Sequence, residues 1–217
     1  MWGMSDTYMD GTEPEDDDTL AALLIKPHRA LILVDVQPTF CEGGALAVEG
    51  GNEVARKIGE FVKVNRGNYG IVVSTQDWHI EPGDHFSDNP DFVDTWPPHG
   101  VAGTEEAELH PAVAGLSEES VKKGQYAAAY SGFEGKTEDG RSLLDVLKLS
   151  EVTSIDIVGL AESHCVKDTA LDARALYEEV RVFSDLTAPV SEELGQKART
   201  IMEGAGIIQL ESRNAWL

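Results

Sequence analysis

Cysteine, basic residues and long apolar runs are all scarce in this sequence of 217 residues. Only Cys41 and Cys165 are present, a number that fits reduced thiols better than a disulfide framework. No segment offers the roughly 20 consecutive apolar residues of a membrane span, and the first residues lack the basic-then-apolar pattern of a signal peptide. We therefore expect a cytoplasmic protein.

Positive charge is also in short supply. The chain has 17 basic against 39 acidic residues, a formal net charge of −22, and no cluster of lysine or arginine. Such a surface repels phosphate groups, so we expect neither nucleic acid nor an anionic membrane as a partner. The glycine-containing stretch 131–140 lacks the G-K-[ST] ending of a phosphate loop.

The apolar content is sufficient for a folded core. Hydrophobic residues make up 41% of the chain, which is enough for one domain, and we assign that domain to residues 28–217. Residues 1–27 begin with an acidic, polar segment without apolar periodicity, and we expect them to form a flexible tail.

Apolar, β-branched runs alternate with segments of helical periodicity along the domain. This alternation predicts a doubly wound α/β fold with a mainly parallel sheet and helices on both faces. Strands are predicted at 29–37, 69–77, 119–124, 154–160, 180–185 and 207–210, and helices at 52–66, 141–149, 164–178 and 191–206.

Chemically reactive side chains lie at the ends of the first four predicted strands. Asp35 ends the first strand, Asp77 and His79 the second, and Lys123 the third, while Cys165 follows the fourth. Ligands in folds of this kind bind beyond the carboxyl ends of the strands. We therefore expect these five side chains to share one site, although each taken alone is compatible with a structural role.

The stretch "TQDWHIEPGDHFS" (75–87) has the composition of a metal site. Asp77 and His79 are two residues apart, so both point to the same side of an extended strand. His85 and His99 follow in loops and can close the group. One carboxylate with several imidazoles suits a divalent transition metal, whereas for any single histidine taken alone an ordinary polar loop residue is the better interpretation.

Cys165 opens a predicted helix, where unpaired N–H groups and the helix dipole favour a thiolate. With the Lys123 ammonium nearby and Asp35 to carry the proton, such a thiolate would be a competent nucleophile. Backbone N–H groups around Ala161 and Cys165 would stabilise an oxyanion. The pattern indicates acyl transfer from an amide.

Five segments in order carry a resemblance to a known family. The sequence resembles nicotinamidases, bacterial pyrazinamidases included, within the isochorismatase-like hydrolases, from about residue 29 to 210. This resemblance implies a six-stranded parallel sheet flanked by helices. The segments are "LVDVQPTFCEGGALAV", "TQDWHIEPGDHFS", "WPPHGVAGT", "VKKGQYAAAYSGFEG" and "VGLAESHCVKDTALDA".

The resemblance also implies a role for each of these polar side chains. The catalytic triad would be Asp35, Lys123 and Cys165, where Lys123 is preferred to Lys122 because the family lysine directly precedes a glycine, here Gly124. The metal would be zinc, iron or manganese. Which histidines bind it directly and which through water stays open. The metal-site positions of the family match Asp77, His79, His85 and His99.

The substrate implied by the resemblance is a small pyridine carboxamide. Nicotinamide, and also pyrazinamide, would be hydrolysed to the acid and ammonia in NAD salvage, with Phe40, Trp96 and Tyr130 lining the ring pocket. The Leu160–Ala161 bond matches a cis peptide of the family. Family members occur in more than one assembly state, so a homo-oligomer stays open.

Two segments depart from the family pattern. Pro38 and Thr39 replace an amide and a carboxylate, which we expect to loosen the turn after Asp35. Glu162 and Ser163 replace a threonine and an aspartate just before Cys165, and Glu162 would oppose thiolate formation unless it faced solvent.

Three other functions are compatible with the sequence. One is hydrolysis of a different small amide or carbamoyl compound, although relatives of that kind often lack the D-x-H group. A second is a non-catalytic binding or scaffold protein, against which the intact Cys165 argues. A third is a hydrolase whose nucleophile is metal-bound hydroxide, in which replacing Cys165 would leave substantial activity.

Overall fold

The computed structural model describes residues 27–217, and within them six strands form one sheet. The strand order is β3-β2-β1-β4-β5-β6, and every neighbouring pair is parallel. The predicted α/β class and the six-stranded sheet are confirmed. The strands are β1 (Arg29–Val34), β2 (Ile71–Asp77), β3 (Glu119–Lys123), β4 (Ser154–Leu160), β5 (Glu179–Ala188) and β6 (Ile208–Leu210).

Helices cover both faces of this sheet. They are α1 (Gly51–Asn65), α2 (Leu143–Leu149), α3 (Lys167–Leu176) and α4 (Glu192–Gly204). The apolar stripe of α1, which includes Ile58, packs with Leu31 and Leu33 on one face. Apolar residues of α2, α3 and α4 pack with Ile32 on the other face, because successive side chains of a strand point to opposite sides.

The strand order fixes where a ligand can bind. From β1 the chain moves outward to β2 and β3, and it then returns to the other side of β1 as β4. Loops leaving β1 and β4 therefore diverge and open a crevice at the carboxyl ends of these strands. Asp35 directly follows β1 and has a φ of 46°, in the left-handed region that is uncommon for residues other than glycine.

Two boundaries differ from the prediction at this crevice. The first strand ends at Val34, because Asp35 leaves the extended conformation. The helix predicted from residue 164 begins as a π-helical turn, Glu162–Val166, and α3 follows it at Lys167. The Leu160–Ala161 peptide bond that precedes this turn is cis, as predicted.

A buried ion-pair network lies near the amino ends of the central strands. Asp156 on β4 is fully buried and accepts hydrogen bonds from Arg29 at 2.8 Å, Arg181 at 2.7 and 2.6 Å, and Tyr69 at 2.8 Å. Arg181 also donates to the carbonyl oxygen of Ala215 at 2.9 Å, which ties the C-terminal turn to the sheet.

The acidic segment expected to be a flexible tail lies outside the described residues, apart from Pro27. Among residues 27–217, no helix has both the length and the apolar composition needed to cross a bilayer.

Candidate active site

Lys123 lies at the centre of the polar cluster at the crevice. It is the last residue of β3, and its side chain is fully buried. The Nζ atom lies 2.9 Å from Oδ2 of Asp35 and 3.6 Å from Sγ of Cys165, and it also contacts Oδ1 of Asp77. The structure thus brings together four of the five side chains expected at the strand ends.

Lys123 is charged in this environment. Burial alone would lower the pKa of its ammonium, but the carboxylates of Asp35 and Asp77 hold that pKa well above its ordinary value. Burial would raise the pKa of Asp77, yet Lys123, His79 and His99 hold it well below the usual range. The Lys123 and Asp77 side chains therefore form a fixed ion pair.

Asp35 differs from Asp77 in its electrostatics. Burial raises the pKa of Asp35, and the negative charge of Asp77 adds to this effect, while Lys123 and the Thr75 hydroxyl oppose it. The hydroxyl of Thr75 donates to Oδ1 of Asp35 at 2.6 Å. A carboxyl group with a raised pKa is better suited than an ordinary carboxylate to take up and return a proton.

The surroundings of Cys165 oppose the thiolate that a helix start favours. Burial raises the pKa of the thiol well above its ordinary value, and Lys123 opposes the shift while Asp35 and Asp77 add to it. The helix dipole alone does not account for desolvation and the two carboxylates. A proton acceptor near the thiol would therefore assist attack by the sulfur.

Lys122, the competitor for the lysine position, lies away from this cluster. Its ammonium sits 3.6 Å from the centroid of the Trp78 ring, in a cation–π contact. Adjacent residues of a strand point to opposite faces, so only Lys123 reaches the site.

Three histidines lie on the other side of Asp77. Potential ligand atoms of His79, His85 and His99 all lie within 4.8 Å of one another, and all three residues are buried. The Nε2 atoms of His79 and His99 are 3.3 Å apart, and each is 3.6 Å from Oδ2 of Asp77. The structure thus collects all four residues predicted to be metal ligands.

The hydrogen bonds of these imidazoles favour a cation between them. Nδ1 of His79 donates to the carbonyl oxygen of Gly124 at 2.6 Å, and Nδ1 of His99 donates to that of Pro97 at 2.8 Å. Since a carbonyl can only accept, each of these bonds directs Nδ1 away from the cluster and leaves Nε2 as the ring atom that faces the other side chains.

His85 adds a third imidazole to the cluster. Burial lowers its pKa to about 4, with a smaller contribution from His99 and His79. Its Nδ1 atom is buried and has no hydrogen-bond partner among residues 27–217. Neutral imidazoles with one carboxylate are the donor set of zinc and similar metals, so the side chains present fit a divalent metal.

The turn after Asp35 is well supported, contrary to expectation. Gln37 donates to the carbonyl oxygen of Asp77 at 2.9 Å and accepts from the Asp77 N–H at 2.9 Å. Pro38 begins a short 3-10 turn, and the buried Thr39 hydroxyl accepts from the Gly100 N–H at 3.2 Å. Replacing an amide and a carboxylate therefore does not loosen this segment.

A cavity of about 290 Å³ opens beside Cys165. Phe40, Trp96 and Tyr130, the residues predicted to hold the substrate ring, all line it, and the Trp96 indole donates to the Tyr130 hydroxyl at 3.0 Å. Ala161 and Cys165, the predicted oxyanion donors, line it as well.

Among the predicted metal ligands, Asp77, His85 and His99 border this cavity, whereas His79 lies behind them.

Several lining residues were not predicted. His164 reaches the cavity, where its ring packs edge-on against Trp96 with centroids 5.5 Å apart. Its position beside Cys165 in the sequence was the available signal. Its Nδ1 lies 2.9 Å from the Ser163 hydroxyl. Apolar residues from loops complete the lining, which includes Leu46, Val48, Phe92 and Val190.

Known proteins are similar to this chain in both sequence and fold. The Isochorismatase domain family matches residues 29–212. A nicotinamidase/pyrazinamidase of Mycobacterium tuberculosis is 48% identical over 180 residues, which cover 82% of this chain and 96% of the relative.

Two solved structures are similar over most of their length. A pyrazinamidase of Pyrococcus horikoshii in complex with zinc has a TM-score of 0.72 and 34% identity, covering 85% of this chain and 99% of that one. A protein of L. infantum in complex with nicotinate has a TM-score of 0.73 and 30% identity, covering 85% and 93%. With the family match spanning most of the chain, the protein belongs to the isochorismatase family.

Proposed function

We propose that this chain is a metal-dependent amidase that hydrolyses nicotinamide to nicotinate and ammonia in NAD salvage, and that it also accepts pyrazinamide. The observation that carries the proposal is the position of Lys123, in contact with Asp35, Cys165 and Asp77 at once. The nearby relatives with these named activities support the choice of substrate.

The cavity suits a small aromatic amide. Phe40, Trp96 and Tyr130 offer an apolar, aromatic wall for a six-membered ring. Cys165 borders the same space, so a carboxamide on that ring can approach the sulfur. Because Trp96 and Tyr130 are joined by a hydrogen bond, this wall is held in place before a substrate enters.

Asp35 would carry the proton through two half-reactions. As the Cys165 sulfur forms a bond to the carboxamide carbon, its proton passes to Asp35, which then protonates the departing nitrogen as the C–N bond breaks and ammonia leaves. Water next gives a proton to Asp35 and attacks the thioester carbon. The C–S bond breaks, the acid is released, and the sulfur regains the proton.

The other groups of the site would stabilise charge on the reacting atoms and orient the substrate. Lys123 keeps a positive charge next to the sulfur and to Asp35, which favours the thiolate as it forms. The backbone N–H groups of Ala161 and Cys165 would stabilise the oxyanion. Asp77, His79, His85 and His99 would hold a zinc, iron or manganese ion, which supplies a Lewis acid for orienting the pyridine nitrogen and water.

The decisive experiment measures ammonia release from nicotinamide. The wild type is assayed as purified, after removal of metal, and after reloading with zinc, iron or manganese separately. Cys165→Ala should abolish turnover while metal content stays unchanged. Cys41→Ala is the matched control, because the Cys41 thiol is buried outside the cavity.

Two results would contradict this function. Substantial turnover by Cys165→Ala would indicate a hydroxide nucleophile. Absence of ammonia release by every metal-loaded form would exclude nicotinamide, and another small amide would then be the substrate to seek.

A further inference from the structure

Glu162, one of the departures from the family pattern, lies in the turn that carries Cys165. It is the first residue of the π-helical turn Glu162–Val166 and is only 2% exposed. Glu162 therefore does not face solvent, which was the condition under which it would not oppose thiolate formation. A carboxylate is buried three residues before the nucleophile.

Arg199 of α4 supplies the counter-charge. Its Nη1 atom donates to Oε2 of Glu162 at 2.8 Å, and its Nη2 contacts Glu192 at the helix start. α4 approaches closely because residue 195 is glycine. A Cβ atom there would lie 3.1 Å from Oε2 of Glu162 and 2.8 Å from Pro189.

A second hydrogen bond joins the same turn to the segment before α4. The Ser163 hydroxyl accepts from the Val190 N–H at 3.2 Å, and Val190 lines the cavity. Both replaced residues, Glu162 and Ser163, thus make contacts to this one region of the chain.

The charge of Glu162 matters because negative charge would build up at this turn. Attack by Cys165 would form an oxyanion near the N–H groups of Ala161 and Cys165, on either side of Glu162. An uncompensated carboxylate in a region sheltered from water would oppose that charge strongly. A guanidinium at hydrogen-bond distance opposes this effect.

We propose that Arg199 is a positioning residue for catalysis, which holds the Glu162 carboxylate against α4 and cancels its charge at the nucleophile turn. The inference rests on the proposed function, since it concerns the rate of attack by Cys165. The proposed role depends on cancelling the negative charge of Glu162 and not on the Arg199–Glu162 ion pair itself. Neutral side chains at both positions should therefore support catalysis nearly as well.

The test compares Arg199→Met, Glu162→Gln and the double variant with the wild type. Arg199→Met should lower kcat tenfold or more with KM changed less than about threefold, because only the transition state carries the added charge. Glu162→Gln and the double variant should keep kcat within about threefold of the wild type. Arg56→Met, which breaks exposed pairs with Glu53 and Glu60 on α1, is the matched control.

Alkylation of Cys165 by iodoacetamide, in a Cys41→Ala background, gives a readout that needs no amide substrate. At fixed pH the reaction should be slower in Arg199→Met and restored in the double variant. If nicotinamide proved not to be the substrate, this readout would still test the role of Arg199.

Wild-type values of kcat and alkylation rate in a folded Arg199→Met protein would overturn the inference. So would the absence of recovery in the double variant. If Arg199→Met fails to fold, the double variant becomes the test: it must fold and keep kcat within about threefold of the wild type. If nicotinamide is not hydrolysed, the alkylation rate of the double variant must stay within the same limit. A double variant that is unfolded or at least tenfold slower overturns the inference.

Discussion

The Lys123 ammonium and the Asp35 carboxylate lie 2.9 Å apart, and both side chains are completely buried. Lys123 also contacts Asp77, so its single positive charge is shared between two carboxyl groups. With one ammonium between two carboxyl groups, the group with the raised pKa is Asp35. Asp35 is thus the member suited to exchange a proton.

Replacing Asp35 by asparagine tests this assignment. The amide has nearly the same shape and can still accept from Thr75, but it cannot take up the Cys165 proton. We expect kcat for nicotinamide to fall by about 10²–10⁴-fold, the usual contribution of a general base, with a smaller change in KM. Steady-state ammonia release measures both constants. Metal content should stay at the wild-type level, and retention of more than a tenth of kcat would contradict the assignment.

Gly124 controls the position of the His79 ring. Its φ is 70°, and a Cβ atom there would lie 2.5 Å from Cε1 of His79. Gly124→Ala should therefore displace His79 and lower the amount of metal bound per chain, which elemental analysis measures.

Gly140→Ala is the control for Gly124→Ala. Gly140 also has a positive φ, 89°, but a Cβ atom there would meet no heavy atom within 4 Å among the described residues. Gly140→Ala should cost about 1 kcal/mol of stability from backbone strain and leave metal content unchanged. Equal metal loss in both variants would show that strain alone, and not contact with His79, is responsible.

The buried His85 should make the metal-free protein sensitive to acid. Its pKa is about 4 in the folded chain against an ordinary value near 6.5. Between these values the unfolded state binds a proton that the folded state does not, so stability falls as pH falls from about 6.5 to 4.

His85→Gln should make this pH dependence shallower by up to one proton. Urea unfolding of metal-free wild type and variant, measured at several pH values in this window, gives the comparison. Identical slopes for the two proteins would contradict a neutral, buried His85.

The Asp156 network should contribute to stability and not to catalysis. Asp156→Asn leaves Arg29 and Arg181 without their shared carboxylate, and we expect a loss of about 3 kcal/mol in the free energy of unfolding. Urea denaturation measures this loss. Glu53→Gln, which affects only two exposed ion pairs, with Arg56 and Lys57, should leave the midpoint unchanged. The kcat of folded Asp156→Asn should equal that of the wild type.

Much of the fold could be predicted from the sequence because its parallel strands are buried on both faces. The apolar runs of β1, β2 and β4 are almost fully buried, so local composition was enough to find them. His85 and His99 were harder to place, since they lie further along the chain from β2, in turns and loops. The sequence and the family resemblance marked both as candidate ligands, but their convergence is a property of the tertiary structure.

The predictions that the structure revised concern the charge of buried side chains. The state of Cys165 depends on desolvation and on two carboxylates from other strands, and the state of Glu162 depends on Arg199, 37 residues further along the chain. Sequence spacing does not report either relationship. The same limitation applies to His164, whose access to the cavity depends on the path of the loop that carries Trp96.

Asp77 divides its two oxygens between the two halves of the site, with Oδ1 on Lys123 and Oδ2 beside His79 and His99. A protein engineer who wished to produce a metal-independent variant would therefore gain little by replacing all four predicted ligands together. Loss of Asp77 would deprive the buried Lys123 of a counter-ion as well. Replacement of the histidines alone would leave the Asp77 carboxylate in place as the counter-ion of Lys123.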